Sequence, residues 1–119
     1  MTANAQPALL TTSVAIMSRL QQFGIKPNYV AGHSLGEYSA LVAGSVLTFE
    51  DAVRIVRKRG EFMEEAVPAG IGKMAAILGL DRQLLEDITA SVSASGNTVQ
   101  LANINSPGQI VISGSAKGV

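Results

Sequence analysis

The pentapeptide Gly32-His33-Ser34-Leu35-Gly36 constrains this chain more than any other feature. Before it, after Lys26-Pro27, the apolar run Tyr29-Val30-Ala31 reads as a short buried strand. After it, Glu37 to Leu47 reads as a helix whose Ala40, Ala43 and Gly44 suit close packing on a sheet. Strand, tight turn and helix in that order is the setting in which G-x-S-x-G forms a nucleophile elbow. The Ser of such an elbow sits on a strained turn with its hydroxyl lifted clear of the backbone. Gly on either side leaves room for neighbouring elements to pass close by. The helix behind Ser34 turns its positive end toward the hydroxyl, and the N–H of Leu35 is placed to stabilise an oxyanion. The pentapeptide alone occurs by chance in many chains, and a purely structural turn is the competing reading. The strand–turn–helix setting favours a nucleophile.

His33 is adjacent to Ser34, and on a sharp turn adjacent side chains diverge. A packed or hydrogen-bonded His supporting the elbow is therefore favoured over a general base, which needs hydrogen-bond reach to the hydroxyl. The chain has no second His to offer as that base. Arg59 is the other residue of note. Val56 and Met63 flank it on the apolar stripe of its helix, whereas Arg54, Arg57 and Lys58 face the solvent side or its border. Spacing alone suggests an Arg that snorkels or pairs with a carboxylate. The alternative is bidentate capture of a substrate carboxylate.

Composition narrows the chemistry. Apolar residues make up 47% of the 119, enough to build a core. Nine Lys and Arg balance nine Asp and Glu, so no basic block argues for nucleic acid or an anionic membrane. Without Cys and with one His, the chain has no thiolate nucleophile, no disulfides and no Cys- or His-built metal site. Aromatic residues, at 4%, are too sparse for base stacking or a sugar platform. No apolar run approaches the ~20 residues of a membrane helix. The N-terminus carries no basic flank or signal-peptide core, and the expected compartment is the cytoplasm.

The remaining elements alternate between helix and strand. Pro7 suits the first turn of a helix, with Leu10, Val14 and Met17 on one face and Leu9, Ile16, Leu20 and Phe23 widening it. This helix is expected to be mostly buried and capped by Gly24. Thr48 and Asp51 resemble a capping box opening a helix with a stripe at Phe49, Ala52, Val53, Val56, Gly60, Met63 and Val67. Glu50 and Arg54 would pair on its outer face. Pro68, Gly70 and Gly72 break the pattern, dividing the chain into domains at 1–69 and 70–119. Met74 to Leu78 then reads as a strand. Asp81 caps a helix with Leu84, Leu85, Ile88 and Val92 on one face. Thr98 to Ile104 and Gln109 to Ser113 read as strands joined by a type II turn at Ser106-Pro107-Gly108. The order β-α-β-β opens a split βαβ, ferredoxin-like unit. Ser115-Ala116-Lys117 is set to begin a further helix, so the chain reads as an incomplete portion of a longer protein.

Gly32-His33-Ser34-Leu35-Gly36-Glu37-Tyr38-Ser39-Ala40-Leu41 closely resembles the elbow of malonyl-CoA:acyl-carrier-protein transacylases of bacterial fatty acid synthesis. Other segments match in order: Gln6-Pro7-Ala8-Leu9-Leu10, then Arg57-Lys58-Arg59-Gly60-Glu61-Phe62-Met63, Met74-Ala75-Ala76-Ile77-Leu78-Gly79-Leu80 and Asn103-Ile104-Asn105-Ser106-Pro107-Gly108-Gln109. The resemblance implies an α/β fold. The first domain would be part of an α/β-hydrolase-like large subdomain holding the elbow, and the second a partial ferredoxin-like small subdomain.

By position, Ser34 matches the nucleophile that takes malonyl as an ester, and Arg59 the Arg that holds the malonyl carboxylate. Leu35 supplies an oxyanion N–H through its backbone, and Gly32, His33 and Gly36 support the elbow. Gln6 matches a glutamine near the active site, and Asn105 a small-subdomain asparagine bordering the cleft. The implied reaction is ping-pong transfer from malonyl-CoA to the phosphopantetheine thiol of acyl carrier protein, with no cofactor or metal. The family's catalytic His, its first oxyanion glutamine and the second half of the large subdomain have no counterpart here. The chain by itself is thus expected to be weakly active or inactive. A second chain bringing the His-bearing portion would complete the site. Two other readings are an α/β-type serine hydrolase, which would prefer water and neutral acyl groups, and a catalytically silent fragment. Arg59 and the ferredoxin-like opening argue against the hydrolase.

Overall fold

The computed structural model describes residues 2–67 and 70–119. The expected break at Pro68 lies outside them. The chain divides into two compact units, Met1–Ala66 and Val67–Val119.

The first unit holds three helices, α1 (Thr2–Gln22), α2 (Leu35–Ala43) and α3 (Phe49–Ala66). Leu10 of α1 is fully buried against Ala52 and Val56 of α3, and Leu35, Tyr38 and Val42 of α2 pack onto this cluster. At the crossing of α1 and α3, a Cβ built on Gly60 would lie 2.5 Å from the Cα of Ala3, so only a glycine lets the two backbones approach this closely.

Helix α1 starts more than a turn before Pro7, which therefore sits inside it. A proline there lacks the N–H that would bond the carbonyl of Ala3. Arg57 Nη1 from α3 donates to that carbonyl instead, at 3.2 Å, and also to Asn4 Oδ1. The N–H of Ala3, one of the first-turn donors without an intrahelical acceptor, donates to Glu64 Oε1 at 2.9 Å. Two side chains of α3 thus hold the start of α1, a long-range arrangement that local sequence does not display.

Three further expectations change in this unit. Tyr29-Val30-Ala31 is not a strand; Tyr29 is 94% exposed, and among the described residues the unit offers no second strand to pair with. Helix α1 is not mostly buried. Only Ala3, Gln6 and Leu10 are buried, while Leu9, Ile16, Leu20 and Phe23 remain exposed, because two neighbouring helices cover a single stripe of it. Arg54 pairs with Asp51 at 3.5 Å rather than with Glu50.

The caps follow the sequence closely. Gly24 takes φ 79° and closes α1 in a Schellman motif, its N–H donating to Gln21 and that of Ile25 to Leu20. Thr48 Oγ1 accepts from the N–H of Asp51, as in a capping box, but donates to the Asp51 carboxylate instead of receiving a return bond at its own backbone.

The second unit is a three-stranded antiparallel sheet with one helix. Strands β1 (Gly72–Leu78) and β2 (Val99–Ser106) flank β3 (Gln109–Ser115), with α4 (Arg82–Ala94) crossing from β1 to β2. Both edges pair antiparallel to β3, so β1 and β2 run the same way with β3 between them, the split βαβ arrangement. Leu85 of α4 packs with Val99, Ile110 and Ile112. Asp81 caps α4 as expected, accepting from the N–H of Leu84 at 3.1 Å. Its buried face is carried by Leu85 and Thr89, with Leu84 and Ile88 left exposed. The β2–β3 turn is not type II, since Gly108 does not take the left-handed φ required at that turn's third residue. An irregular register between Ile104 and Ser106 adjoins it. Residues 116–118 form a turn on which Ser115 Oγ accepts from the N–H of Gly118.

Among the described residues, no helix is long and apolar enough to cross a membrane.

Candidate active site

Ser34 immediately precedes α2 with φ 55° and ψ −116°, a left-handed conformation that a side chain other than Gly rarely adopts. The turn is closed by Gly36 N–H donating to the His33 carbonyl at 2.9 Å and Glu37 N–H to that of Ser34 at 3.2 Å. Serines in this position commonly cap the helix through the hydroxyl. Here Ser34 Oγ makes no capping bond and stands free of the helix. The N–H of Leu35, in the first turn of α2, has no intrahelical acceptor and lies at the positive end of the helix.

The two glycines of the elbow do different jobs. A Cβ on Gly32 would run into the backbone of Gly36 and Glu37, so the chain folds onto itself there with no room for a side chain. Nothing lies within 4 Å of a Cβ on Gly36, and the steric argument does not extend to it. The expectation of a packed or hydrogen-bonded His33 also changes: its side chain is exposed, and it supports the turn through its backbone carbonyl.

Arg59, on α3, comes to the elbow. Its Nη2 donates to Ser34 Oγ at 3.0 Å and its Nη1 to Gln6 Oε1 at 2.5 Å. Gln6, on α1, is only 5% exposed, and its Nε2 donates to Met63 Sδ at 3.3 Å. Both ends of this buried amide are therefore occupied, which fixes the carbonyl toward the guanidinium. Tyr38, a turn beyond Ser34 on α2, places its ring 5.8 Å from the Arg59 guanidinium carbon. Residues matched separately in the sequence, Gln6, Ser34 and Arg59, thus form one connected group. Tyr38 and Met63 complete it. In the sequence Tyr38 stands only within the matched elbow segment, and Met63 within the matched arginine segment and on the apolar stripe; neither is marked there as a site residue.

A cavity of about 500 Å³ adjoins this group, lined by Tyr38, Ile55, Lys58, Arg59, Phe62, Met63 and Ala66. Lys58 bonds Glu61 Oε2 at 3.2 Å and lies 5.0 Å from the Phe62 ring centre. Arg57, the other cation near Arg59, bonds Glu61 and the start of α1. Arg59 has no carboxylate partner among the described residues. Asn105 belongs to the second unit, exposed on β2, with its Nδ2 donating to Gln109 Oε1 at 3.1 Å.

A strained serine whose hydroxyl makes no capping bond, at a helix N-terminus and hydrogen-bonded to a guanidinium with no carboxylate partner among the described residues, is a candidate nucleophile. The family model for the acyl transferase domain matches residues 1–119. The chain belongs to the acyl transferase domain family. This acyl transferase chain is 66% identical to a malonyl CoA-acyl carrier protein transacylase of Bacillus subtilis, over 100% of its own length and 38% of that protein's. A crystal structure of FabD from Acinetobacter baumannii superposes with a TM-score of 0.94 at 51% identity, over 99% of this chain and 38% of that one. A malonyl-transacylase solved in complex with its type II PKS acyl-carrier protein matches with a TM-score of 0.92 at 48% identity, over 98% of this chain and 38% of that one. The chain thus spans well under half the length of these relatives, and its α/β fold is that of the corresponding part of the acyl transferase domain.

Proposed function

We propose that this chain carries the nucleophile and the carboxylate-binding cation of a malonyl transacylase. The observation that carries the reading is the 3.0 Å donation from Arg59 Nη2 to Ser34 Oγ, which puts a fixed cation within one acyl group's length of the hydroxyl. In the proposed first step Ser34 Oγ attacks the thioester carbonyl of malonyl-CoA, the C–S bond breaks and the CoA thiol leaves. The phosphopantetheine thiol of acyl carrier protein then attacks the serine ester and carries malonyl away. Two thioesters of similar energy bracket an oxygen ester, so the exchange is reversible and requires no cofactor.

Leu35 N–H would bond the developing oxyanion and Arg59 the distal carboxylate, which selects malonyl over acetyl. Gln6 would hold Arg59 in place. Asn105 keeps its assignment to substrate binding from resemblance alone. The proton of Ser34 needs a base. Among the described residues Ser34 Oγ has no histidine partner, so that base would come from outside this set. The acyl carrier protein is the proposed partner, as in the solved complex of the related transacylase, and the cytoplasm the proposed compartment.

The test is the intact mass of the chain after incubation with malonyl-CoA, with Ser34→Ala as control. It is run on the chain alone and with the remaining portion of the Bacillus subtilis relative supplied. A malonyl adduct on wild type, absent from the variant and lost on adding acyl carrier protein, is the expected result in the completed form. The chain alone should acylate slowly or not at all, because a serine without its base loses several orders of magnitude in rate. No adduct in either form with folded protein overturns the reading.

A further inference from the structure

We propose that Tyr38 is a positioning residue for Arg59, its ring face holding the guanidinium so that the in-plane N–H donors stay available to a substrate carboxylate. The proposal rests on the malonyl-transfer reading above. Arg59 is held from three directions: Gln6 Oε1 from α1, Ser34 Oγ at the elbow and the Tyr38 ring from α2. These supports differ in what they leave free. Once an acyl group occupies Ser34, the hydroxyl becomes an ester oxygen and no longer serves as the same acceptor. Gln6 and the ring then remain.

A side chain as long as arginine has several rotatable bonds, and one hydrogen bond does not fix it. A carboxylate or a second amide would fix it, but would occupy another N–H, and a carboxylate would also neutralise the charge. An aromatic face does neither. It attracts the cation through its quadrupole, at 5.8 Å within the range where this attraction operates, and accepts none of the N–H groups. Tyr38 is itself anchored, packing onto the Leu10, Ala52 and Val56 cluster, and it lines the same cavity as Arg59. An aromatic ring here keeps the cation both oriented and unpaired, the two properties that discrimination between a carboxylated and a neutral acyl group requires.

The experiment compares single-turnover acylation of Ser34 by malonyl-CoA and acetyl-CoA, in whichever form of the wild type acylates, across Tyr38→Phe, Tyr38→Leu and Tyr38→pentafluorophenylalanine. Tyr38→Phe should keep the wild-type preference for malonyl, since the ring face is intact. Tyr38→Leu should lower it about three- to tenfold, mainly through the malonyl-CoA concentration at half-maximal rate. The fluorinated ring keeps the shape of Phe and removes its negative face, so it should show the same loss even if Tyr38→Leu does not fold. Unchanged preference in the fluorinated variant overturns the proposal, as does a loss in Tyr38→Phe equal to that in Tyr38→Leu. If wild type acylates in neither form, the malonyl-transfer reading falls and the proposal with it. Acylation with a preference insensitive to the ring overturns the Tyr38 assignment alone.

Discussion

Arg59 donates to the hydroxyl of Ser34 at 3.0 Å while its other terminal nitrogen is held by the buried amide of Gln6 at 2.5 Å. The cation is oriented before any substrate arrives. Arg59→Ala should therefore cost malonyl transfer roughly 30- to 5,000-fold, the range for removing one member of a hydrogen-bonded charge pair, and reduce acetyl transfer much less. Arg59→Lys should recover only part of this, because a single ammonium cannot reach Gln6 and a carboxylate in the same fork geometry. Acylation rates with the two thioesters decide it. An equal loss for malonyl and acetyl would remove Arg59 from carboxylate recognition.

Gly32 and Gly36 should respond oppositely to Ala. At Gly32 the added methyl would collide with the backbone of Gly36 and Glu37, which cannot move without opening the elbow. Gly32→Ala should destabilise the first unit by about 3 kcal/mol, at the upper end for overpacking, and abolish acylation of Ser34. At Gly36, early in α2 with open space around its Cβ, Ala should be neutral or stabilising by up to about 1 kcal/mol. Urea midpoints of the two variants check this, and equal destabilisation would contradict it.

What could be read from the sequence was what local chemistry determines. The elbow, the Gly24 and Asp81 caps and the β-α-β-β order each depend on residues within a few positions of one another. Tyr29-Val30-Ala31 failed because a strand exists only when another strand pairs with it, and apolarity cannot report whether one is present. The start of α1 is not legible because Arg57, which replaces the bond lost at Pro7, and Glu64, which accepts from the first-turn N–H of Ala3, lie more than 50 residues from Ala3. The assembly of Gln6, Ser34 and Arg59 was accessible only through resemblance, since their spacing in the chain says nothing of how α1 and α3 cross. Tyr38 was hidden by its double use as a core residue.

Arg57 and Pro7 should be energetically coupled. Because Pro7 has no N–H, the Ala3 carbonyl depends on Arg57 Nη1. Arg57→Ala should destabilise the first unit by about 1 kcal/mol or somewhat more, by leaving that acceptor unpartnered. In a Pro7→Ala background the helix can bond the carbonyl itself, and the same substitution should cost less, with a coupling of about 0.5–1 kcal/mol. A double-mutant cycle on urea midpoints measures it. Strict additivity would show that the Arg57 contact is incidental.

Glu61 gives the first unit a pH dependence of known sign. Hydrogen bonds from Lys58 and then Arg57 hold its carboxyl below the ordinary glutamate range. A folded-state pKa below the unfolded one means that the unfolded chain binds the proton first as pH falls. The contribution is therefore present at neutral pH and lost as pH drops through the lowered pKa. These pairs are solvent-exposed, so the effect is small and weakened by salt. Glu61→Gln should flatten the acid limb of the urea midpoint against pH and change little near neutrality. Parallel profiles for wild type and variant would rule this out.

Gly60 sets two effects against each other. In the middle of α3, replacing Gly by Ala gains about 1 kcal/mol of helix propensity. Yet the new methyl would lie 2.5 Å from Ala3 Cα, 2.9 Å from its nitrogen and 3.0 Å from the Thr2 carbonyl, all backbone atoms. Relief requires α1 to move away from α3. That would strain the bonds from Arg57 and Glu64 that hold its first turn, and draw Gln6 away from Arg59. Sterics should win, with Gly60→Ala destabilising by about 1–3 kcal/mol net and lowering the malonyl-over-acetyl preference without touching any reacting group. Gly60→Ala with a higher urea midpoint than wild type would show that the two helices separate at little cost, and that Arg59 is not held by their close approach.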